Sequence, residues 1–97
     1  MPTNLKIISH ELMDKEYLRL YVVSGSQPCG TIDLISEKIN FNIVGKYFFK
    51  GMSAIKNIAL KHSEERLVFK FGNSKSLSVG CDMTAFTAVS MHIKSFQ

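Results

Sequence analysis

The clearest regularity along the chain is a two-residue alternation. In YLRLYVV, Leu18, Leu20 and Val22 fall on one side and Tyr17, Arg19, Tyr21 and Val23 on the other. Extended backbone turns successive side chains to opposite faces, so this is the signature of a half-buried strand. KINFNIV sets Ile39, Phe41 and Ile43 against Asn40 and Asn42, and EERLVFKF carries Leu67, Phe69 and Phe71 in alternation. LKIISHEL at 5–12 and TIDLIS at 31–36 are rich in β-branched and apolar residues and read as two further strands. MDKE at 13–16 reads as a turn, and SGSQPCG at 24–30, with two glycines and a proline, as a loop. GNSK followed by SLSVGC predicts that residues 65–81 form a hairpin.

Two stretches follow a helical period instead. At 100° per residue, Tyr47, Phe48, Met52, Ile55, Ile58 and Ala59 share an arc opposite Lys46, Lys50, Asn57 and Lys61, which predicts a helix over about 51–63. Residues 46–50 fit either state, because Gly51 is costly inside a helix and Tyr47, Phe48 and Phe49 suit a strand. DMTAFTAVSMHIKSF places Phe86, Val89, Ile93 and Phe96 on one stripe, with Asp82 as N-cap and Lys94 at the negative end of the helix dipole.

The expected order is β-β-β-β-α-β-β-α over residues 1–97. It describes a single α+β domain of two layers, a largely antiparallel sheet of about five to six strands with two helices on one face. A right-handed crossover from strand 39–44 through the first helix to strand 66–71, which would make those strands parallel, is the competing arrangement.

Composition narrows this picture only modestly. Ninety-seven residues fit one core, and 45% hydrophobic residues with 10% aromatics is ordinary globular composition. No apolar run is long enough to span a bilayer, and MPTNLKIISHELMDK lacks a continuous apolar region with a cleavage site. The expectation is a cytoplasmic protein without membrane association. Cys29 and Cys81 are too few for a disulfide framework, which agrees with a reducing compartment.

Charge is more informative in its distribution than in its total. From Lys38 to Ser63 there are five lysines and no acidic residue, whereas the whole chain carries a net +4. The remainder is therefore net −1, and the positive charge is local. A helix face made only for solubility usually mixes signs to gain i, i+4 pairs, which this stretch forgoes. Lys46, Lys50, Lys56 and Lys61 are accordingly candidate contacts for an acidic partner, weighed against the ordinary solvated face of an amphipathic element.

Candidate catalytic chemistry is thin. Cys29 in a Gly/Pro loop with His10, His62 and His92 elsewhere could make a thiol enzyme only if the fold gathers them, and no nucleophile motif surrounds either cysteine. Closely spaced metal-ligand pairs are missing from the sequence, and no cofactor is implied. GNSKS resembles a phosphate loop superficially, but it leads into an alternating strand and not into a helix N-terminus.

One further constellation remains, the row Tyr17, Arg19, Tyr21 on the non-aliphatic side of its strand. Tyrosine and arginine are enriched in protein interfaces, and aromatic rows on sheets also stack unpaired bases. The bland alternative pairs Arg19 with Asp33 across the hairpin. The sequence thus leads to the expectation of a small, non-enzymatic regulatory or inhibitory protein acting on a protein partner or as a homodimer. Nucleic-acid binding through the lysines and the Tyr17, Arg19, Tyr21 row is the alternative.

Overall fold

The computed structural model describes residues 5–44, 49–70 and 76–96. Among the described residues, eight strands form one sheet, with a single α-helix following the last of them. The strands are β1 (Leu5–Asp14), β2 (Tyr17–Ser24), β3 (Gln27–Ile35), β4 (Lys38–Ile43), β5 (Phe49–Ala54), β6 (Ile58–Lys61), β7 (Arg66–Lys70) and β8 (Ser76–Gly80). The helix is α1 (Met83–Lys94). Their order across the sheet is β5-β4-β3-β2-β1-β8-β7-β6. Every neighbouring pair is antiparallel except β1 and β8, which run parallel and share the single register pair Lys6↔Gly80.

This corrects the two-layer expectation of five to six strands under two helices. The segment 51–63 forms no α-helix. It completes β5, makes a 3-10 turn at Ile55–Asn57, forms β6 and enters a second 3-10 turn at His62–Glu64. Pairing β5 on β4 in the register Phe41↔Gly51 and Asn40↔Met52 satisfies backbone groups that a helix would have left open along β4. The helical arc was misleading because Ile55 is buried while Met52, assigned to the same apolar face, is 63% exposed. The crossover arrangement also fails, since β4 and β7 are not neighbours and the parallel pair is β1 with β8.

SGSQPCG is a second correction. Only Gly25 and Ser26 turn; Gln27 to Gly30 already belong to β3. Gly25 has φ +64°, as a tight hairpin turn requires. The register shifts between Val22 and Val23, pairing Val22 with Gly30 and Val23 with Pro28, so Cys29 is the extra residue of a bulge. A bulge also accommodates Pro28, which cannot donate to a regular ladder.

Alternation decides which face is buried. Leu18, Leu20 and Val22 lie beside Leu34 and Ile32 of β3, and these beside Ile39, Phe41 and Ile43 of β4, all buried in one cluster with Leu5, Ile7, Leu67, Phe69 and Val79. The rings of Phe41 and Phe69 meet edge to face with centroids 5.1 Å apart. Their strands are about five strand spacings apart, roughly 24 Å in a flat sheet, so the sheet must curl to bring them together. The three-residue turn at Ile55–Asn57 has the same consequence, joining β5 and β6 at opposite ends of the strand order.

α1 packs on the inner side. Ala85, Phe86, Val89 and His92 are buried, and Ile93 and Phe96 pack against the core, as the helical stripe predicts. Asp82 caps it by accepting from the Ala85 amide at 2.9 Å. At the other end, His92 Nε2 lies 2.9 Å from the Ser36 carbonyl. A carbonyl can only accept, so this ring carries its proton on Nε2.

Candidate binding surface

The outer face of β1 to β5 carries the Tyr17, Arg19, Tyr21 row. Register places Glu11, Arg19, Asp33, Asn40 and Met52 in one line across five strands, and Ser9, Tyr21, Thr31, Asn42 and Lys50 in the next. Arg19 Nε donates to Asp33 Oδ1 at 3.0 Å, and its Nη2 donates to the Tyr17 hydroxyl. That hydroxyl in turn donates to Asp33 Oδ2 at 3.3 Å. Asp33 is only 8% exposed, so the guanidinium supplies the charge partner that a carboxylate in this position needs. The Asp33 hydrogen bond and charge hold Arg19 still more firmly protonated than usual. The pairing of Arg19 with Asp33 across the hairpin is therefore present.

Tyr21 is held differently. Its hydroxyl donates to Glu11 Oε1 at 2.7 Å, and this bond, with some burial, raises the phenol's pKa above the ordinary tyrosine value. The two tyrosines and Arg19 thus share a face, each tied to a carboxylate of an adjacent strand. The row is a braced surface whose hydrogen-bonding capacity is largely spent internally.

The lysines do not share one element. Lys50 lies on β5, Lys56 in the 3-10 turn and Lys61 on β6, while Lys46 lies outside the described residues. Lys56 and Lys61 are exposed, and β5 and β6 are the two ends of the strand order. Lysine on terminal strands discourages edge-to-edge aggregation, so a structural role accounts for part of the unpaired positive charge.

The thiols are withdrawn from solvent. Cys29 is buried within β3 and its Sγ donates to the Val22 carbonyl at 3.5 Å. Cys81 is buried at the entry to α1, and both are free. Burial pushes both thiols up, for Cys81 with help from Asp82 and Glu65, which disfavours the nucleophilic thiolate. Among the described residues, no three His, Cys, Asp or Glu side chains gather as metal ligands, and no helix is long and apolar enough to cross a membrane.

A site that the sequence reading missed lies along β1. Beyond Lys6, β8 ends at Gly80 and the chain turns into α1, so from Ile8 to Asp14 no described strand pairs with β1 on the side away from β2. Strand residues on both faces of this stretch are solvent-accessible: Ile8 is 56% exposed and Leu12 67%. On the inner side the stretch borders a cleft of about 340 Å³ between β1 and α1. Leu12, Leu18, Ala88 and Met91 give it apolar walls, and His10, His92 and Lys15 also line it. Met91 is 65% exposed on the helix wall. Nothing in the sequence pattern points clearly to it: the pattern predicts a strand over 5–12 with a turn at 13–16, whereas Met13 and Asp14 belong to β1 and only Lys15 and Glu16 turn.

In comparison with known proteins, no family model matches the chain, and no curated protein or solved structure matches it significantly.

Proposed function

We propose that the chain is a small non-enzymatic binding protein that engages another protein, and that the contact is made along β1. The observation that carries this reading is the open backbone edge from Ile8 to Asp14 beside an apolar cleft. An exposed strand edge presents a row of N–H and C=O groups that an incoming chain can pair, and a neighbouring cleft receives its side chains. Exposed Ile8, Leu12, Met13 and Met91 add apolar area at the same place. Buried thiols and carboxylates already engaged in hydrogen bonds leave little for a catalytic reading to use.

The nucleic-acid reading draws less from the geometry. Its stacking row is already engaged, with Arg19 neutralised by Asp33 and the Tyr17 and Tyr21 hydroxyls bonded to carboxylates, which leaves it the exposed lysines alone. Affinity capture from the native host's lysate, comparing the wild-type chain with Leu12→Lys and Lys56→Glu variants, tests the reading. A partner retained by wild type and Lys56→Glu but lost by Leu12→Lys supports it. Loss with Lys56→Glu alone, or a monomer that retains nothing, contradicts it.

A further inference from the structure

The edge of β1 specifies the chemistry of its occupant. By register, the inward positions of this stretch are His10 and Leu12, opposite Leu20 and Leu18. An added strand would direct its inward side chains toward the cleft walled by Ala88 and Met91. The outward positions include Glu11 and, because the register shifts by one residue between Leu12 and Asp14, also Asp14; they lie opposite Arg19 and Tyr17. Arg19 bonds to Asp33 and not to Glu11, and among the described residues neither Glu11 nor Asp14 has a cation within salt-bridge distance. Among the described residues, Glu11 accepts only from the Tyr21 hydroxyl, and Asp14 from the Lys15 amide at 2.7 Å. Both side chains are exposed on the face an added strand would share.

We infer that β1 from Ile8 to Asp14 accepts an extended peptide segment of alternating apolar and basic residues as an added strand. Its apolar residues enter the cleft between β1 and α1, and its basic residues stand over Glu11 and Asp14. This rests on the protein-binding reading above and names its ligand class. Cross-strand opposite-charge pairs and backbone pairing together set both the register and the sequence preference. The stretch spans roughly 20 Å of extended chain, enough for about six or seven residues of ligand. A second copy of this chain is a poorer occupant, because antiparallel self-pairing centred on Glu11 sets the two Glu11 carboxylates opposite each other.

The probes are capped seven-residue peptides alternating Val with Lys, with Glu or with Ser, plus the Val/Lys peptide N-methylated at alternate residues to remove backbone donors. Binding is followed by amide NMR of the full chain. The overall positive charge of the protein works against adventitious attraction of a basic peptide. The inference expects the Val/Lys peptide to perturb Ile8–Asp14 and Ala88–His92. N-methylation, Val/Glu replacement and Glu11→Lys with Asp14→Lys in the protein should each weaken binding tenfold or more. Glu11 and Asp14 are exposed, so their replacement leaves the core untouched; because Glu11 also holds the Tyr21 hydroxyl, the native amide spectrum of the variant is verified before titration, and Asp14→Lys alone serves as the variant that spares that bond.

Equal or tighter binding of the Val/Glu or Val/Ser peptide at β1 overturns the charge preference while leaving the protein-binding reading intact. Perturbation confined to the outer face of β3 to β5 overturns the location. Self-association through β1 without peptide binding makes a second copy the occupant and overturns the inference. If no peptide binds and lysate capture also fails, both the inference and the underlying reading fall.

Discussion

Gly30 shows how little freedom single residues have in this sheet. It has φ +143°, and a Cβ built there would lie 1.9 Å from the Asn42 carbonyl oxygen of β4. The bulge at Cys29 can therefore press against β4 only if the next residue has no side chain. Gly30→Ala should destabilise the fold by about 3 kcal/mol through backbone strain and overpacking together, read by urea unfolding; a loss below about 0.5 kcal/mol would mean the bulge relaxes freely. Tyr21 gives a second test at this scale. Its pKa is raised by the hydrogen bond to Glu11, and an unfolded tyrosine titrates near pH 10. Its stabilising contribution is therefore complete below about pH 10 and is lost as pH rises through the higher folded pKa. Ultraviolet phenolate titration should show Tyr21 titrating above the ordinary range and returning toward it in Glu11→Ala, which removes the acceptor; an unchanged titration in that variant would contradict the bond.

At the level of elements, strands whose alternation ran clean were legible from sequence: β2, β4 and β7 stand where Leu18/Leu20/Val22, Ile39/Phe41/Ile43 and Leu67/Phe69 place them. The Asp82-capped helix was equally legible because its cap and its stripe agree. What failed was the basic stretch, where period alone could not separate a helix from a strand, a tight turn and another strand. The deciding fact is the open edge of β4, a tertiary property that no local pattern contains. The Gly/Pro loop failed for a related reason, because a bulge lets Pro28 and Cys29 remain in β3. Of the named contact residues, Tyr17, Arg19 and Tyr21 do share a face, but their bonds to Asp33 and Glu11 depend on register. The curl of the sheet can be examined through Phe41 and Phe69. Phe41→Leu and Phe69→Leu should each cost about 1–2 kcal/mol, with a coupling of about 0.5–1.5 kcal/mol in the double variant. Strict additivity in that cycle would place the rings out of contact and leave β4 and β7 apart.

For the molecule as a whole, the sheet curls around one core and α1 closes its inner side, yet β1 and β8 share a single register pair. That parting makes the surface argued above, because β1 outruns its neighbour and α1 leaves the parting open as a cleft. The claim that the strand edge from Ile8 to Asp14 is free is tested most directly by residue-resolved amide hydrogen exchange on the monomeric chain at neutral pH. The amides of β1 that face β2 should be protected and those facing the other way should exchange nearly as fast as an unstructured peptide, with both sets protected around Ile7. Uniform protection from Ile8 to Asp14 in the monomer would show that the edge is already paired, and the binding account would fall with it.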